Sequence, residues 1–267
     1  SGSITIDPTN TNVLYYGTGE PYYSIDAYGG VGVLKTTDGG STWFSSGLTG
    51  EPRISGVVVD PTNTTNVFAA TFGGVYRSTN AGASWTKVLA QARAYDVVVD
   101  PLNSQNVYAS IGNNSGNAGV WKSTSGGTTW SKLGGGLPAS GSINVAKLTL
   151  CANVPSTLYM LASNGAGNLQ GVYRTTDGGS SWTIVSGSLP EIFNSQGWYD
   201  ITIEVSPTDS NLVFAGGIDT WRSTDGGGSW TNVTNGYAGG NVHVDHHDLY
   251  FLGGTLYLAT DGGLWKT

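Results

Sequence analysis

Apolar residues along the chain gather in short runs of Val, Ile, Leu, Ala and Tyr, separated by stretches rich in Gly, Asp, Asn, Ser and Thr. Runs of this length bounded by turn residues predict β-strands. The runs recur in a fixed order. One closes on an Asp-Pro turn, at residues 4–8, 57–61, 97–101 and, in a looser form, 203–207. A second short run follows, at 13–16, 67–70, 107–110, 158–161, 212–215 and 256–259. After a variable loop comes a third strand, and then a Gly-rich template ending in Trp, at 36–43, 78–85, 123–130, 175–182 and 223–230. The closing residues Trp43, Trp85, Trp130, Trp182 and Trp230 are spaced 42, 45, 52 and 48 residues apart. An apolar residue and a base precede each template: Leu34-Lys35, Tyr76-Arg77, Trp121-Lys122, Tyr173-Arg174 and Trp221-Arg222. Four antiparallel strands repeating every 40 or 50 residues or so describe the blade of a propeller. The expected fold is therefore an all-β propeller with repeats at about 1–47, 48–90, 91–135, 136–187, 188–236 and 237–267. The sixth repeat ends as its template begins, at Leu264-Trp265-Lys266-Thr267, and lacks an outermost strand. A ring with an open edge invites aggregation, so further blades or domains of a longer chain are expected to complete it.

The template resembles the Asp-box, or BNR repeat, and the resemblance covers the six repeats. In such a turn an Asp or Asn side chain accepts bonds from backbone N–H groups, glycines supply positive φ, and the Trp packs against the next blade. Asp38, Asn80, Ser125, Asp177 and Asp225 hold this position and are read as structural, because they are periodic. Ser125 replaces the usual Asp or Asn, so its turn is expected to be the weakest of the five.

Composition sharpens this picture. Glycine numbers 42 of 267 residues, more than twice the ordinary share of about 7%, and the repeated turns account for much of it. Charged residues are only 11%, and the net charge is −7 with 11 Lys and Arg in all. Scattered so thinly, they form no cationic track for nucleic acid. No apolar run approaches the 18 or more residues of a spanning helix, so no membrane insertion is expected. The single Cys151 lies in an apolar strand and reads as a buried thiol. Asn63-Thr64-Thr65, Asn113-Asn114-Ser115 and Asn232-Val233-Thr234 match the glycosylation pattern, as chance allows in a chain so rich in these residues.

Propeller connectivity places both kinds of turn on one face and the variable loops on the other: the lead-ins 44–56, 86–96, 133–144, 186–202 and 233–248, with the connections 17–31, 110–119 and 162–170. Function is expected there. Trp198, Tyr199 and Asp200 offer an aromatic face beside a carboxylate, which suits a pyranose, although Trp198 also fits as a wedge between blades. All three histidines fall in one stretch with two aspartates: His243, Asp245, His246, His247 and Asp248. If that stretch is extended, His243, Asp245 and His247 point to one side and form a ligand set for a divalent metal ion, or else bond to each other or to substrate. No other cofactor is expected. Glu20, Tyr22, Tyr23, Asp26, Tyr95 and Asp96 extend an acidic, tyrosine-rich rim.

The segments at residues 17–21, 196–200 and 243–247 resemble stretches of uncharacterised secreted, glycosyl-hydrolase-like BNR-repeat proteins of bacteria and archaea. That likeness implies an extracellular or cell-surface location. Sialidase chemistry is disfavoured, because Arg77, Arg174 and Arg222 sit at the repeated position and only Arg53 and Arg93 remain for an arginine triad. The leading expectation is a module that binds glycan or a cell-surface protein. The alternative is a glycoside hydrolase with two carboxylates at the channel mouth, drawn from Glu20, Asp26, Asp96, Asp200, Asp245 and Asp248. A structural subunit of a surface assembly is the third reading.

Overall fold

The computed structural model describes residues 2–21, 27–113, 115–240 and 242–267, apart from the side chain of Tyr237. The fold is all-β and of propeller type, with five four-stranded blades and a sixth of three strands. Each blade is an antiparallel meander with its strands in chain order. Helical structure among the described residues is limited to 3-10 turns at Ser140–Ser142 and Gly236–Ala238. No helix among them is long and apolar enough to cross a membrane.

The chain forms two compact units. The first comprises residues 1–111 and 120–132, and the second 112–119 and 133–267. The first unit holds β1 (Ser3–Asp7), β2 (Asn10–Gly17), β3 (Val33–Thr36) and β4 (Phe44–Ser45), then β5 (Ile54–Val59), β6 (Val67–Thr71), β7 (Gly74–Ser78) and β8 (Thr86–Leu89). Its third blade is β9 (Ala94–Val99), β10 (Val107–Ile111), β11 (Gly119–Ser123) and β12 (Ser131–Lys132). The second unit holds β13 (Val145–Leu150), β14 (Leu158–Ser163), β15 (Leu169–Thr175) and β16 (Thr183–Ile184), followed by β17 (Thr202–Val205), β18 (Val213–Gly216), β19 (Thr220–Ser223) and β20 (Thr231–Asn232). It ends with β21 (His246–Leu252), β22 (Thr255–Thr260) and β23 (Gly263–Lys266). Inner strands pack side by side, β1 on β5 and β5 on β9 in the first unit, β13 on β17 and β17 on β21 in the second.

Blade stacking explains why the second strand of a blade reads as an apolar run rather than an alternation. Strands β6, β10 and β14 are buried at every position, because both faces are covered. Phe68 and Ala70 of one blade meet Ala94, Val97 and Val99 of the next. Cys151 is buried, as expected, and its thiol points at the Pro207 carbonyl.

The Gly-rich turns share one hydrogen-bond plan. In the first, the Thr36 hydroxyl donates to Asp38 Oδ1 at 2.7 Å and accepts from Asp38 N–H and Gly40 N–H. Asp38 also accepts from Thr42 N–H and its hydroxyl, at 2.9 and 2.6 Å. These bonds, that of the Thr42 hydroxyl foremost, hold the Asp38 carboxyl down at about 2. Thr175 with Asp177 and Ser223 with Asp225 repeat the plan. Ser125 keeps the bond from Thr129 N–H at 2.9 Å, but its contact with the Ser123 hydroxyl lengthens to 3.3 Å.

The turn end of the blades also carries bonds from blade to blade. Tyr15 Oη and Lys35 Nζ both donate to the Ala81 carbonyl, at 3.0 and 2.8 Å, while Trp85 Nε1 donates back to the Ser46 carbonyl at 2.6 Å. In the second unit Tyr159 Oη donates to the Ser210 carbonyl at 2.7 Å, Arg174 reaches Asn211, and Trp230 Nε1 returns to the Val185 carbonyl. In four of the five pairs the base lies against an aromatic of the second strand: Lys35 on Tyr15, Arg77 on Phe68, Lys122 on Tyr108 and Arg174 on Tyr159. Arg77 and Arg174 therefore serve the scaffold.

Ala81 occupies a positive φ of 54°, where the other four turns place glycine, so the second turn carries backbone strain. Ala81→Gly is expected to raise stability by up to about 1 kcal/mol, relief of left-handed strain outweighing the entropy of the unfolded glycine. Ser78→Ala, which strips a buried hydroxyl from the Gly82 N–H, is expected to lower it by about 1–3 kcal/mol. Urea unfolding of the two variants checks both signs.

Candidate functional site

The loop end of the second unit gathers side chains that break the repeat. The lead-in to β17 makes one tight turn, in which the Gln196 carbonyl accepts from both Tyr199 and Asp200 N–H, at 2.7 and 3.2 Å. This turn leaves Trp198 and Tyr199 half-buried and buries Asp200 completely. The lead-in to β21 is not extended as expected. Asp245 takes a φ of 63°, and a bulge between His246 and Asp248 puts His247 out of register. The alternation that would align His243, Asp245 and His247 is lost, because a bulge re-aims the side chains around it.

His243 instead turns its Nδ1 to the Val244 carbonyl at 2.9 Å, and His247 Nε2 contacts Asp261 Oδ1 at 2.7 Å. Among the described residues no three His, Cys, Asp or Glu side chains converge in a way that could hold a metal ion. His246, expected at the ligand surface, is fully buried, with Nδ1 2.6 Å from the Thr220 hydroxyl. Burial lowers its pKa to about 4, so it stays neutral in the core.

Asp261 gathers this site, and it was not among the residues expected from the sequence. Tyr199 Oη donates to its Oδ1 at 3.0 Å, the same oxygen that His247 Nε2 contacts. The Tyr199 ring lies 4.7 Å from that of His247, edge to face, and 5.6 Å from that of Trp198. The result is an aromatic ledge with one exposed carboxylate at its rim. Asp261 escapes notice because Asp261-Gly262-Gly263 looks like another Gly-rich turn. A signal does exist: it stands before the third strand of its blade, aligned with Phe72-Gly73-Gly74, whereas the repeated turns follow that strand.

The carboxyls of the site differ in protonation. Burial, reinforced by the charges of Asp245 and Asp261, drives Asp200 up to about 8. Neither of its oxygens makes a hydrogen bond among the described residues. Asp245 is also raised, by burial and by the Asp261 charge, and its Oδ1 is likewise buried and unbonded among them. Asp261 moves the other way. Partial burial acts against its charge, but the bonds from His247 and Tyr199 outweigh it and pull the pKa below the ordinary value. Tyr199 is itself held up at about 12, by burial and by the hydrogen bond to Asp261.

The remaining expected residues fall elsewhere. Glu20, Tyr95 and Asp96 belong to the first unit. Glu20 N–H bonds the Tyr28 carbonyl, Tyr95 is buried at a bulge, and Asp96 Oδ1 caps the N–H of Val97. Asp248 caps Leu249 N–H in the same manner. Tyr22, Tyr23 and Asp26 lie outside the described residues.

No family model matches the chain. Among characterised proteins it is similar to a xyloglucanase from a Paenibacillus species, 28% identical over 160 residues, covering 58% of this chain and 15% of that one. It is also similar to a xyloglucanase from Hypocrea jecorina, 27% identical over 276 residues, covering 78% of this chain and 32% of that protein. Among solved structures, the GH74 enzyme of Niastella koreensis superposes with a TM-score of 0.72 at 23% identity, over 99% of this chain and 44% of its own. The GH74 xyloglucanase of Xanthomonas campestris gives 0.74 at 17%, over 99% and 44%. The chain thus has the propeller fold, with xyloglucanases among its structural neighbours, and spans less than half the length of each.

The buried Asp200 predicts an inverted stability profile. An acid whose folded pKa is raised takes up a proton on folding at any pH between its unfolded value, near 4, and about 8. Stability is then greatest below that window, falls as pH rises through it by up to about 1.4 kcal/mol per unit, and levels off above it. Asp200→Asn should flatten this slope and raise the melting temperature at pH 8, as measured by calorimetry between pH 5 and 9.

Proposed function

We propose that the chain is part of a secreted glycoside hydrolase acting on a xyloglucan-type polysaccharide, with its reacting groups at the loop end of the second unit. We place it among the Asp-box propellers on the strength of its five turns. One observation carries the reading. Two carboxyls joined through their backbones, Asp261 N–H to the Asp245 carbonyl at 3.2 Å, are displaced in opposite directions, Asp245 up and Asp261 down. Glycoside hydrolysis needs such a pair, one carboxyl protonated to donate to the leaving oxygen and one ionised to act as base or nucleophile. In this reading Asp245 is the acid and Asp261 the carboxylate. Tyr199 and His247 hold Asp261 ionised, and the Trp198 and Tyr199 rings lie under a sugar face. The buried Asp200 touches no substrate. Once ionised it would add a second negative charge beside that of Asp261, so its proton keeps the neighbouring pair workable. The xyloglucanase names of the two relatives support the substrate class, and a secreted setting suits a polymer substrate.

Release of reducing ends from xyloglucan tests this directly. Asp245→Asn and Asp261→Asn should each lower kcat at least about 100-fold with little change in melting temperature. Tyr199→Phe should move the acid limb of the pH profile upward, because Asp261 loses a hydrogen bond to its charged form. Binding of xyloglucan without turnover, or turnover undiminished in both Asn variants, overturns the proposal.

A further inference from the structure

His243 stands near both carboxyls of the pair and is hydrogen-bonded to neither. Its place is set by the backbone. Asp261 N–H donates to the Asp245 carbonyl as Phe72 N–H donates to the Arg53 carbonyl, so His243 in the sixth blade corresponds to Glu51 in the second. The hairpins match as well: Gly262 N–H donates to the Thr260 hydroxyl at 3.1 Å, and Gly73 N–H to that of Thr71 at 3.0 Å. In both blades the side chain at this position lies on the first glycine of the hairpin. A Cβ on Gly73 would sit 2.3 Å from Glu51 Oε1, and one on Gly262 would sit 2.3 Å from His243 Cβ and 2.9 Å from its Cδ2.

The two blades use this position differently. Glu51 is committed to the fold, since its carboxylate accepts from Gly73 N–H and from the hydroxyls of Thr71 and Tyr76. His243 is exposed, and its ring makes one hydrogen bond among the described residues, from Nδ1 to the Val244 carbonyl at 2.9 Å. A carbonyl can only accept, so Nδ1 carries the proton and Nε2 of the neutral ring is left as an acceptor. Nε2 adjoins the Cδ2 that rests on Gly262, so it lies on the edge of the ring nearest the hairpin that carries Asp261.

We propose that His243 is a substrate-binding residue of this site, its Nε2 accepting a hydrogen bond from a hydroxyl of the sugar unit held beside Asp245 and Asp261. This rests on the reading of those carboxyls as the reacting pair. Stacking on the Trp198 and Tyr199 rings sets the plane of a sugar but leaves it free to turn within that plane. A fixed acceptor at one side removes that freedom and selects for hydroxyl orientation, which is what distinguishes one neutral sugar from another. The bond is made in the bound substrate and in the transition state alike, so it acts on affinity rather than on turnover.

Steady-state hydrolysis of a xyloglucan oligosaccharide, together with calorimetric titration of the same oligosaccharide into the Asp245→Asn variant, tests the assignment. His243→Phe keeps a flat ring but has no acceptor, and it should raise KM at least about fivefold while kcat holds within about twofold. His243→Gln, whose amide reaches the place of Nε2, should recover most of that loss. In the Asp245→Asn background His243→Phe should weaken Kd by the same factor as it raises KM. Long-range proton–nitrogen NMR of the unsubstituted chain at pH 8 should show His243 protonated at Nδ1 alone, with an Nε2 signal that moves saturably as oligosaccharide is added. That readout holds even where a variant fails to fold. Unchanged KM and Kd in His243→Phe, a fall in kcat alone, or an Nε2 signal indifferent to oligosaccharide would overturn the role of His243, and the carboxyl pair would still stand if Asp245→Asn abolishes turnover. Binding that depends on His243 in a chain without turnover would uphold His243 and remove the hydrolase.

Discussion

One buried hydroxyl in each four-stranded blade holds this architecture together. Thr36, Ser78, Ser123, Thr175 and Ser223 are each at most 2% exposed, and each accepts a backbone N–H from the glycine four residues on. A bare N–H at that depth is costly, so the turn has one arrangement and not several. That arrangement fixes the carbonyls to which the neighbouring blade is fastened, Ala81 by Tyr15 and Lys35, for example. Local turn chemistry is thereby converted into blade spacing. Gly127 shows how tight the result is: a Cβ there would sit 2.6 Å from the Phe68 ring of the preceding blade.

With one end of every blade committed in this way, the other end is free to differ. Counting from the paired strands, the position two residues before the first regular pair is Ile54 in the second blade, Ala94 in the third, Asp200 in the fifth and His246 in the sixth. All four are buried. An apolar side chain there is core, whereas a carboxyl or imidazole is desolvated and kept neutral. Stability is surrendered at this one position in two blades of the second unit, and a perturbed electrostatic environment is gained at the surface above it.

Periodic features were legible in the sequence and aperiodic ones were not. Five turns and the strands they join repeat the same residues, so each copy supports the reading of the others, and the bases before the turns could be set aside as scaffold. The histidine stretch had no second copy. Its backbone departs from an extended path at Asp245, and nothing in the residue types around Asp245 announces a positive φ. The bulge that follows recurs at Ser55 and Tyr95, but those neighbours share no residue type with His247, so the repetition is structural and invisible in the letters. Asp261 was hidden for the opposite reason, because its neighbours resemble a turn that the chain uses five times elsewhere.

The same backbone frame serves opposite chemistries. At the hairpin between the second and third strands, Phe72 N–H donates to the Arg53 carbonyl and accepts at its own carbonyl from Arg93 N–H. In the second unit Asp261 N–H donates to the Asp245 carbonyl, and Asp245 N–H donates to the Ile218 carbonyl, in the equivalent places. Arg93 and Asp245 even share the left-handed conformation, at φ of 64° and 63°. Since these bonds are made by main chain alone, they set no requirement on the side chains at these positions. Two cations stand at such positions in one unit, and two carboxyls stand at them in the other. The charge carried at the loop end can therefore change by substitution at these positions, and the blades beneath need not move.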